Sequence, residues 1–316
     1  MPRDLPYQLT VSQSQRISPN MQRVTLHGQD LAEFPTGYEG SYVKLLFPVE
    51  GTLSERTLSE GALSGDEDAK VIMRTYTIRK FNPYDLMLDI DFVLHGELGK
   101  HSGPASTWAA QAKPGDAMQM FGPGKVKAAS LEADWFLFAG DMTALPAISC
   151  QLEQLPANAA GYVVIEINSE QDKQSLKKPA GIDILWVINP HLDTENTILS
   201  DAVKTLPWLL GTPSIWAACE FSNMRLLRSY FKKDKQVPRN QLYISSYWKS
   251  GQSEDKHKII KKQDSIAEDS AYSDKRRHPS CASKRADETA GAANNINFSI
   301  ATLLDQTLIF PSAFYR

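Results

Sequence analysis

The chain has 316 residues, of which 42% are hydrophobic and 22% charged, and its 34 basic and 37 acidic side chains leave a formal net charge of -3. This length exceeds what one hydrophobic core usually fills, so we expect two compact domains and exclude a single small module or a disordered chain. The nearly balanced charge excludes a general attraction to nucleic acid or to an anionic membrane.

The cysteines Cys150, Cys219 and Cys281 lie far apart, with no CxxC pair and no histidine at metal-ligand spacing. This pattern argues against a disulfide framework, a zinc site and a four-cysteine iron–sulfur cluster, so we expect no bound metal. The chain starts without an apolar signal segment, and no stretch approaches the roughly 18 apolar residues of a membrane span. We therefore expect a cytoplasmic protein with no membrane insertion.

Short β-rich runs separated by turn residues make up the first part of the chain. They lie at 8–12, 21–27, 42–47, 71–80, 86–94 and 117–121. Short strands at this spacing predict an antiparallel barrel or sandwich. Residues 51–70 repeat a Leu-Ser element and predict a long hairpin loop.

After residue 130, continuous apolar runs alternate with segments of helical period. The strands are predicted at 135–139, 162–167, 184–188, 214–218 and 241–246, and helices between them at 144–155, 197–206 and 223–233. This alternation predicts a parallel sheet covered on both faces, which binds its ligand at the carboxyl ends of the strands. The predicted domains are therefore 1–130 and 131–264, followed by a polar tail of low order over 265–316.

Arg74, Tyr76 and Thr77 form the first pattern with evident chemistry. Such a strand offers a cation for a phosphate, a flat ring face for a cofactor and a hydroxyl for a heteroatom. A purely structural strand has the same alternation, so the pattern alone leaves both interpretations open.

Two further segments suit a nucleotide. Gly103 and Pro104 precede a helical run, whose first N–H groups are a favourable place for a diphosphate. Gly140 and Thr143 stand in the turn between the first parallel strand and its helix, although a capped helix without ligand explains that segment equally well. His95 is expected to be a structural histidine, not a catalytic base.

A basic helix is predicted after Ser253. Glu254 and Asp255 suit its first turn, and Lys258, Lys261 and Lys262 share one face that no acid neutralises. If that face borders the site, it attracts an anionic substrate. Solvated surface lysines explain the pattern equally well.

In this order, the segments resemble the siderophore-interacting protein family, the ferric-siderophore reductases of the ferredoxin-NADP reductase superfamily. The resemblance covers roughly residues 5–262. It rests on six motifs: Arg74-x-Tyr76-Thr77, Asp91-Phe92-Val93-Leu94-His95-Gly96, Gly103-Pro104-Ala105-Ser106-x-Trp108-Ala109, Pro114-Gly115-Asp116, Ala139-Gly140-Asp141-x-Thr143-Ala144-Leu145-Pro146-Ala147 and Tyr247-Trp248-x-x-Gly251. Met142 departs from the glutamate that the family often has there.

The resemblance implies a six-stranded antiparallel β-barrel that holds FAD, followed by a parallel-sheet α/β domain that receives a nicotinamide nucleotide. Electron transfer through FAD needs no side chain as acid or base. The residues that would contact or border the cofactors are Arg74, Thr75, Tyr76, Thr77, Asp91, Phe92, Val93, His95, Gly103, Ala105, Ser106, Gly140, Asp141, Thr143, Ala144, Tyr247 and Trp248.

The implied activity is reduction of Fe(III)-siderophores to release Fe(II) for iron assimilation. The candidates for attracting an anionic siderophore are Lys44, Lys258, Lys261 and Lys262. The electron donor stays open between NADH, NADPH and reduced ferredoxin, and the candidates for a nucleotide 2′-phosphate are Asn168, Ser169, Lys173 and Lys177. The alternatives are a ferredoxin- or flavodoxin-dependent oxidoreductase and a non-catalytic siderophore-binding protein.

Overall fold

The computed structural model describes residues 5–48, 71–95, 103–191 and 196–277. Its first six strands close into an antiparallel barrel in the order β1-β2-β5-β4-β3-β6. The strands are β1 (Tyr7–Ser18), β2 (Met21–His27), β3 (Tyr42–Pro48), β4 (Val71–Asn82), β5 (Met87–Val93) and β6 (Ala117–Phe121). The predicted six-stranded antiparallel barrel is confirmed.

Alternation of apolar and polar side chains explains the barrel strands. In β1, Tyr7, Leu9 and Val11 are buried, whereas Gln8 and Thr10 between them are exposed. Successive side chains of a strand point to opposite faces, so this pattern places one apolar row inside the barrel.

The chain after the barrel forms a parallel sheet of five strands in the order β11-β10-β7-β8-β9. Its strands are β7 (Trp135–Asp141), β8 (Ala160–Ile167), β9 (Gly181–Ile188), β10 (Pro213–Glu220) and β11 (Leu242–Trp248). Every residue of β7 and β10 is buried, as expected of central strands with cover on both faces.

In the described residues before β11, one α-helix lies between β5 and β6 of the barrel and three accompany the sheet strands. They are α1 (Pro104–Gln111), α2 (Leu145–Gln154), α3 (Ile198–Thr205) and α4 (Phe221–Ser229), which a π-helical turn (Tyr230–Asp234) extends. The three helices predicted between the sheet strands are thus present, with bounds shifted by one or two residues at most ends.

Barrel and sheet belong to one compact unit that ends at Gln263. Between them, the Asp172 carboxylate accepts hydrogen bonds from Ser18 and Asn20 of the β1–β2 turn, and Arg79 pairs with Glu153 at 2.6 Å. The domain boundary expected at residue 130 falls in the connection from β6 to β7.

The C-terminal part differs from expectation. A fifth helix, α5 (Glu254–Arg277), includes residues 265–277, which composition assigned to a low-order tail. Alanine, glutamate, lysine and arginine are good helix formers, so polarity alone does not predict disorder there. A second unit begins at Asp264. The predicted hairpin loop over 51–70, Cys281 and the rest of the predicted tail lie outside the described residues.

Candidate functional site

The site begins where β4 leaves its neighbour β5. Strand β4 pairs with β3 along residues 71–77, but its pairing with β5 starts only at Ile78. The motif residues Arg74, Tyr76 and Thr77 therefore precede the point at which both edges of β4 are hydrogen-bonded. The Tyr76 ring packs 4.3 Å from Phe92, and burial raises the pKa of its hydroxyl. This stretch of β4 presents an aromatic face beside an open strand edge.

The first turn of α5 contacts the same stretch. Glu254 accepts hydrogen bonds from Thr75, at 3.2 Å from the backbone N–H and 2.8 Å from the hydroxyl. Asp255 lies 3.4 Å from Arg74. The sequence predicted these acids only as partners of the helix dipole, because their contacts join residues 179 and 181 positions apart.

Arg74 fits a phosphate. Its side chain is only 15% exposed, yet its contacts among the described residues are the Met73 carbonyl at 2.9 Å and the Asp255 carboxylate at 3.4 Å, which is itself 71% exposed. A guanidinium has five N–H groups, so several donors of this largely buried cation remain without a partner among the described residues. A phosphate would use them in a bidentate contact.

Helix α1 offers a second place for a diphosphate. It starts after Gly103, where an added side-chain carbon would meet no atom of the described residues within 4 Å, and Ala105 and Ser106 lie buried in its first turn. The Ser106 hydroxyl accepts from the His95 N–H at 3.1 Å, which ties the helix start to the end of β5. The first N–H groups of a helix favour an anion, so this segment also fits the FAD expected from the sequence.

Three residues on β5 that the resemblance assigns to the cofactor have buried side chains with partners inside the protein. Both oxygens of Asp91 accept from Arg23, at 2.6 and 2.8 Å. Phe92 is fully buried in the barrel core, and Val93 packs in a cluster with residues of the sheet such as Phe138. These side chains support the barrel wall; a contact with the cofactor stays a prediction.

Asp141 and its neighbours lie at the carboxyl end of β7. Asp141 is 3% exposed and accepts from the Thr143 N–H and hydroxyl, the Glu220 N–H and the Trp248 indole. Burial raises the pKa of Asp141, and these hydrogen bonds oppose the shift. A side chain at Gly140 would stand 2.7 Å from Ala144 and 2.8 Å from a β10 carbonyl, so this glycine allows close packing of strand and helix.

The two aromatic residues that end β11 point to different surroundings. The half-buried Trp248 lies 6.2 Å from the exposed His95 ring, ring centre to ring centre. Tyr247 packs edge-on against Trp216, and burial raises the pKa of its hydroxyl. Trp248 is therefore the member of this motif that reaches the barrel side of the site.

The lysine face of α5 differs from the prediction. Lys258 lies 3.0 Å from Glu254 and 3.9 Å from Asp255, so acids of the preceding turn do neutralise it. The Lys261 ammonium turns back to the sheet and donates to the Ser246 carbonyl at 2.9 Å. Its desolvation lowers the pKa of Lys261. Helical spacing put these lysines on one face, but it did not show the acids and carbonyls that contact that face.

Two of the four lysine candidates keep a free charge. Lys44 and Lys262 are exposed and have no hydrogen bond or ion pair within the parts of the chain that the structure describes. Lys44 stands opposite Thr75 in the pairing of β3 with β4, directly beside the Arg74 stretch. The structure thus places Lys44 at the barrel side of the site.

The candidates for a nucleotide 2′-phosphate are partly occupied. Ser169 donates its N–H and its hydroxyl to Asp172, and Lys173 pairs with Glu170. Asn168 is half-buried and Lys177 exposed. Sequence reasoning missed Asp172, whose partners lie in the distant β1–β2 turn.

The end of β8 carries another acid that sequence reasoning missed. Glu166 accepts from Asn189, and burial raises its pKa to about 7. A polar residue one position before the end of an otherwise apolar strand is the available sequence signal for such a group.

In the described segments, no group of three histidine, cysteine or acidic side chains could hold a metal ion, and no helix is long and apolar enough to cross a membrane.

An antiparallel barrel followed by a parallel sheet defines a ferredoxin reductase-like fold. The FAD/NAD-binding domain of a nitric oxide dioxygenase from Vibrio cholerae shares this fold, with a TM-score of 0.56 at 12% identity over 78% of this chain and 100% of that one.

The chain belongs to the siderophore-interacting protein family. Residues 10–127 match the siderophore-interacting FAD-binding domain, and residues 133–251 match the siderophore-interacting protein domain. The ferric vibriobactin reductase ViuB of Vibrio cholerae is 34% identical over 242 residues, which are 76% of this chain and 88% of ViuB. The siderophore-interacting protein SipS from Aeromonas hydrophila is 32% identical, with a TM-score of 0.70 over 82% of this chain and 97% of that one. This chain is thus a flavoprotein of that family.

Proposed function

We propose that this protein reduces ferric siderophores in the cytoplasm and releases Fe(II), with electrons that pass through FAD from NADH, NADPH or reduced ferredoxin. The observation that carries the proposal is Arg74, a cation that is 15% exposed with unused donors, inside a siderophore-interacting FAD-binding domain. Likeness to ViuB, named as a ferric vibriobactin reductase, supports the choice of substrate.

The chain's own residues bind and shield the cofactor. Arg74 and the start of α1 would hold its phosphates, and Tyr76, backed by Phe92, would pack against its ring. FAD, when bound, accepts two electrons together and passes them on singly. The protein positions the reactants and supplies electrostatic attraction, and no side chain has to act as an acid or a base in the electron transfer.

Iron release follows from the weaker binding of Fe(II). Hard oxygen ligands of a siderophore hold Fe(III) tightly, and one electron gives an ion of lower charge that they hold much less tightly. One NADH supplies two electrons, so two ferric complexes are reduced, and NAD⁺ and one proton are released. The reaction therefore balances without a further reactant.

Anaerobic mixing tests the proposal. The FAD-loaded protein is mixed with NADH, NADPH or reduced ferredoxin, and loss of the oxidised flavin absorbance is followed. A ferric catecholate siderophore is then added. We expect one donor to bleach the flavin and the siderophore to restore its colour as an Fe(II) chelator reports released iron. Failure of every donor, or no recovery with iron, would refute the reductase function.

Lys44 is the cation that we propose for the anionic siderophore, because it is free, exposed and opposite Thr75. Lys44→Ala should weaken binding of an anionic ferric siderophore about three- to tenfold and reduce the salt dependence of binding. The matched control is Lys113→Ala. Lys113 is exposed and precedes the first residue of β6, whereas Lys44 pairs with Phe121 at the other end of that strand. Equal affinities of the two variants would remove Lys44 from the substrate site.

A further inference from the structure

Asp141 uses its whole hydrogen-bonding capacity within the protein. Its Oδ1 accepts from the Thr143 N–H at 2.9 Å and the Thr143 hydroxyl at 2.5 Å. Its Oδ2 accepts from the Glu220 N–H at 2.9 Å and from Nε1 of Trp248 at 2.8 Å. A carboxylate has about four acceptor positions, so these four donors leave none for a cofactor.

The Asp141 contacts meet at a break in the sheet register. Cys219 pairs with Ser246, so a regular ladder would set Glu220 against Tyr247. Glu220 instead stands opposite Trp248, after a slip of one residue. A one-residue slip exchanges the side chains on the two faces of a strand. Oδ2 of Asp141 bonds both residues of the shifted pair, so Asp141 lies where it stabilises the slip.

Glu220 holds the chain beyond Trp248. Its Oε1 accepts from the Ser250 N–H at 3.3 Å, while Oε2 caps the start of α4 through Ser222 and Asn223. The end of β11 is thus bound on two sides, by Asp141 at the Trp248 ring and by Glu220 at the following turn. The half-buried ring is left facing His95, 6.2 Å away.

We propose that Asp141 is a positioning residue that sets the orientation of the Trp248 ring through its indole N–H and does not itself contact the nicotinamide or the flavin. The catalytic consequence rests on the proposed function. Trp248 is then the residue that borders the reacting rings, and Asp141 determines where its ring stands. The sequence resemblance, in contrast, implies that Asp141 is one of the residues that border the cofactors.

The first test uses the full-length wild-type chain. Its six tryptophans give six indole N–H signals in a ¹⁵N-correlated NMR spectrum, and Trp248→Phe identifies one of them by its loss. We expect that signal to exchange with solvent at least about a hundredfold more slowly than an exposed indole, because it donates to a buried carboxylate. Exchange at the rate of an exposed indole would overturn the inference without any change at Asp141.

The second test compares a variant that removes the carboxylate with one that removes a single donor to it. Asp141→Ala removes both acceptor oxygens, and Thr143→Val removes only the hydroxyl that bonds Oδ1. The Trp248 part of the near-ultraviolet circular dichroism is the difference between each variant and its Trp248→Phe counterpart. We expect Asp141→Ala to lose most of that signal, because the indole N–H has no acceptor there, and Thr143→Val to retain it. Retention in both variants would contradict the inference.

A kinetic test then separates positioning from direct contact. Asp141→Ala and Trp248→Phe should slow flavin reduction by similar factors, about tenfold, with less than a twofold change in the donor's dissociation constant, and the double variant should be no slower than either. A weaker donor affinity in Asp141→Ala alone would mean direct contact and refute the proposal. If no donor reduces the wild-type flavin, the proposed reductase function fails, while the exchange and dichroism results still decide the role of Asp141.

Discussion

Asp172 is the residue on which we expect the attachment of the barrel to the sheet to depend most. It is fully buried and accepts from the Ser18 hydroxyl at 2.7 Å and from the Asn20 N–H and side-chain amide at 2.9 and 2.8 Å. Ser169 adds two donors from its own turn. Burial alone would raise the pKa of Asp172, but the hydrogen bonds from Asn20 and Ser18 outweigh it and lower the pKa.

Asp172→Ala leaves buried donors of the β1–β2 turn without an acceptor. Hydrogen bonds to a charged group are worth about 1.5–3 kcal/mol each and do not add fully, so we expect a loss of about 3–5 kcal/mol. For a domain of this size the melting temperature should fall by about 10 °C. Because the pKa is lowered on folding, the contribution is present above the ordinary aspartate pKa and is lost as the pH falls through the folded value.

Differential scanning calorimetry of the wild type, Asp172→Ala and a control measures this loss. Asp201→Ala is the control, because Asp201 is an exposed acid whose partners Thr197 and Lys204 lie within or beside its own helix. We expect the control to melt close to the wild type. A melting temperature of Asp172→Ala within about 2 °C of the wild type would refute the reasoning.

Further predictions concern packing and pH. Gly140→Ala should cost about 1–3 kcal/mol in urea unfolding, because its new carbon would stand 2.8 Å from the Ala218 carbonyl; unchanged stability would contradict this. Burial lowers the pKa of His257 to about 4, so stability should fall as the pH drops from about 6.5 to about 4, and His257→Gln should flatten that slope. Burial raises the pKa of Glu166 to about 7, so its contribution should weaken as the pH rises from about 4.5 to about 7, and Glu166→Gln should remove this change. Unaltered pH profiles would refute the last two.

Local patterns predicted the strands of both parts of the chain, and the family resemblance chose a closed barrel over a sandwich for the first part. Residues 21–27 were predicted as a strand, and β2 occupies Met21–His27. Side chains alternate in β1, where one face is buried, and β7 and β10 are continuously apolar, because both of their faces are buried. The identities of neighbouring residues therefore show how many faces of a strand are buried. Family resemblance then connected Arg74, Tyr76 and Thr77 with a flavin, and their roles in binding it stay predictions.

Only the tertiary structure shows which hydrogen-bond and ion-pair partners each charged side chain has. Lys258 and Lys261 look equally free in the sequence, yet one lies beside Glu254 and the other donates to the Ser246 carbonyl. The resemblance implies that Asp141 borders the cofactors, and the structure adds that donors from two other strands bond its carboxylate.

By itself, the sequence determined the fold class, the order of its elements and the family, because hydrophobic periodicity and short motifs are local properties. The tertiary structure decided which acids and lysines retain a free charge, because the partners of a buried ion come from distant parts of the chain. Asp172 shows this most clearly: its barrel partners Ser18 and Asn20 precede it by 154 and 152 residues.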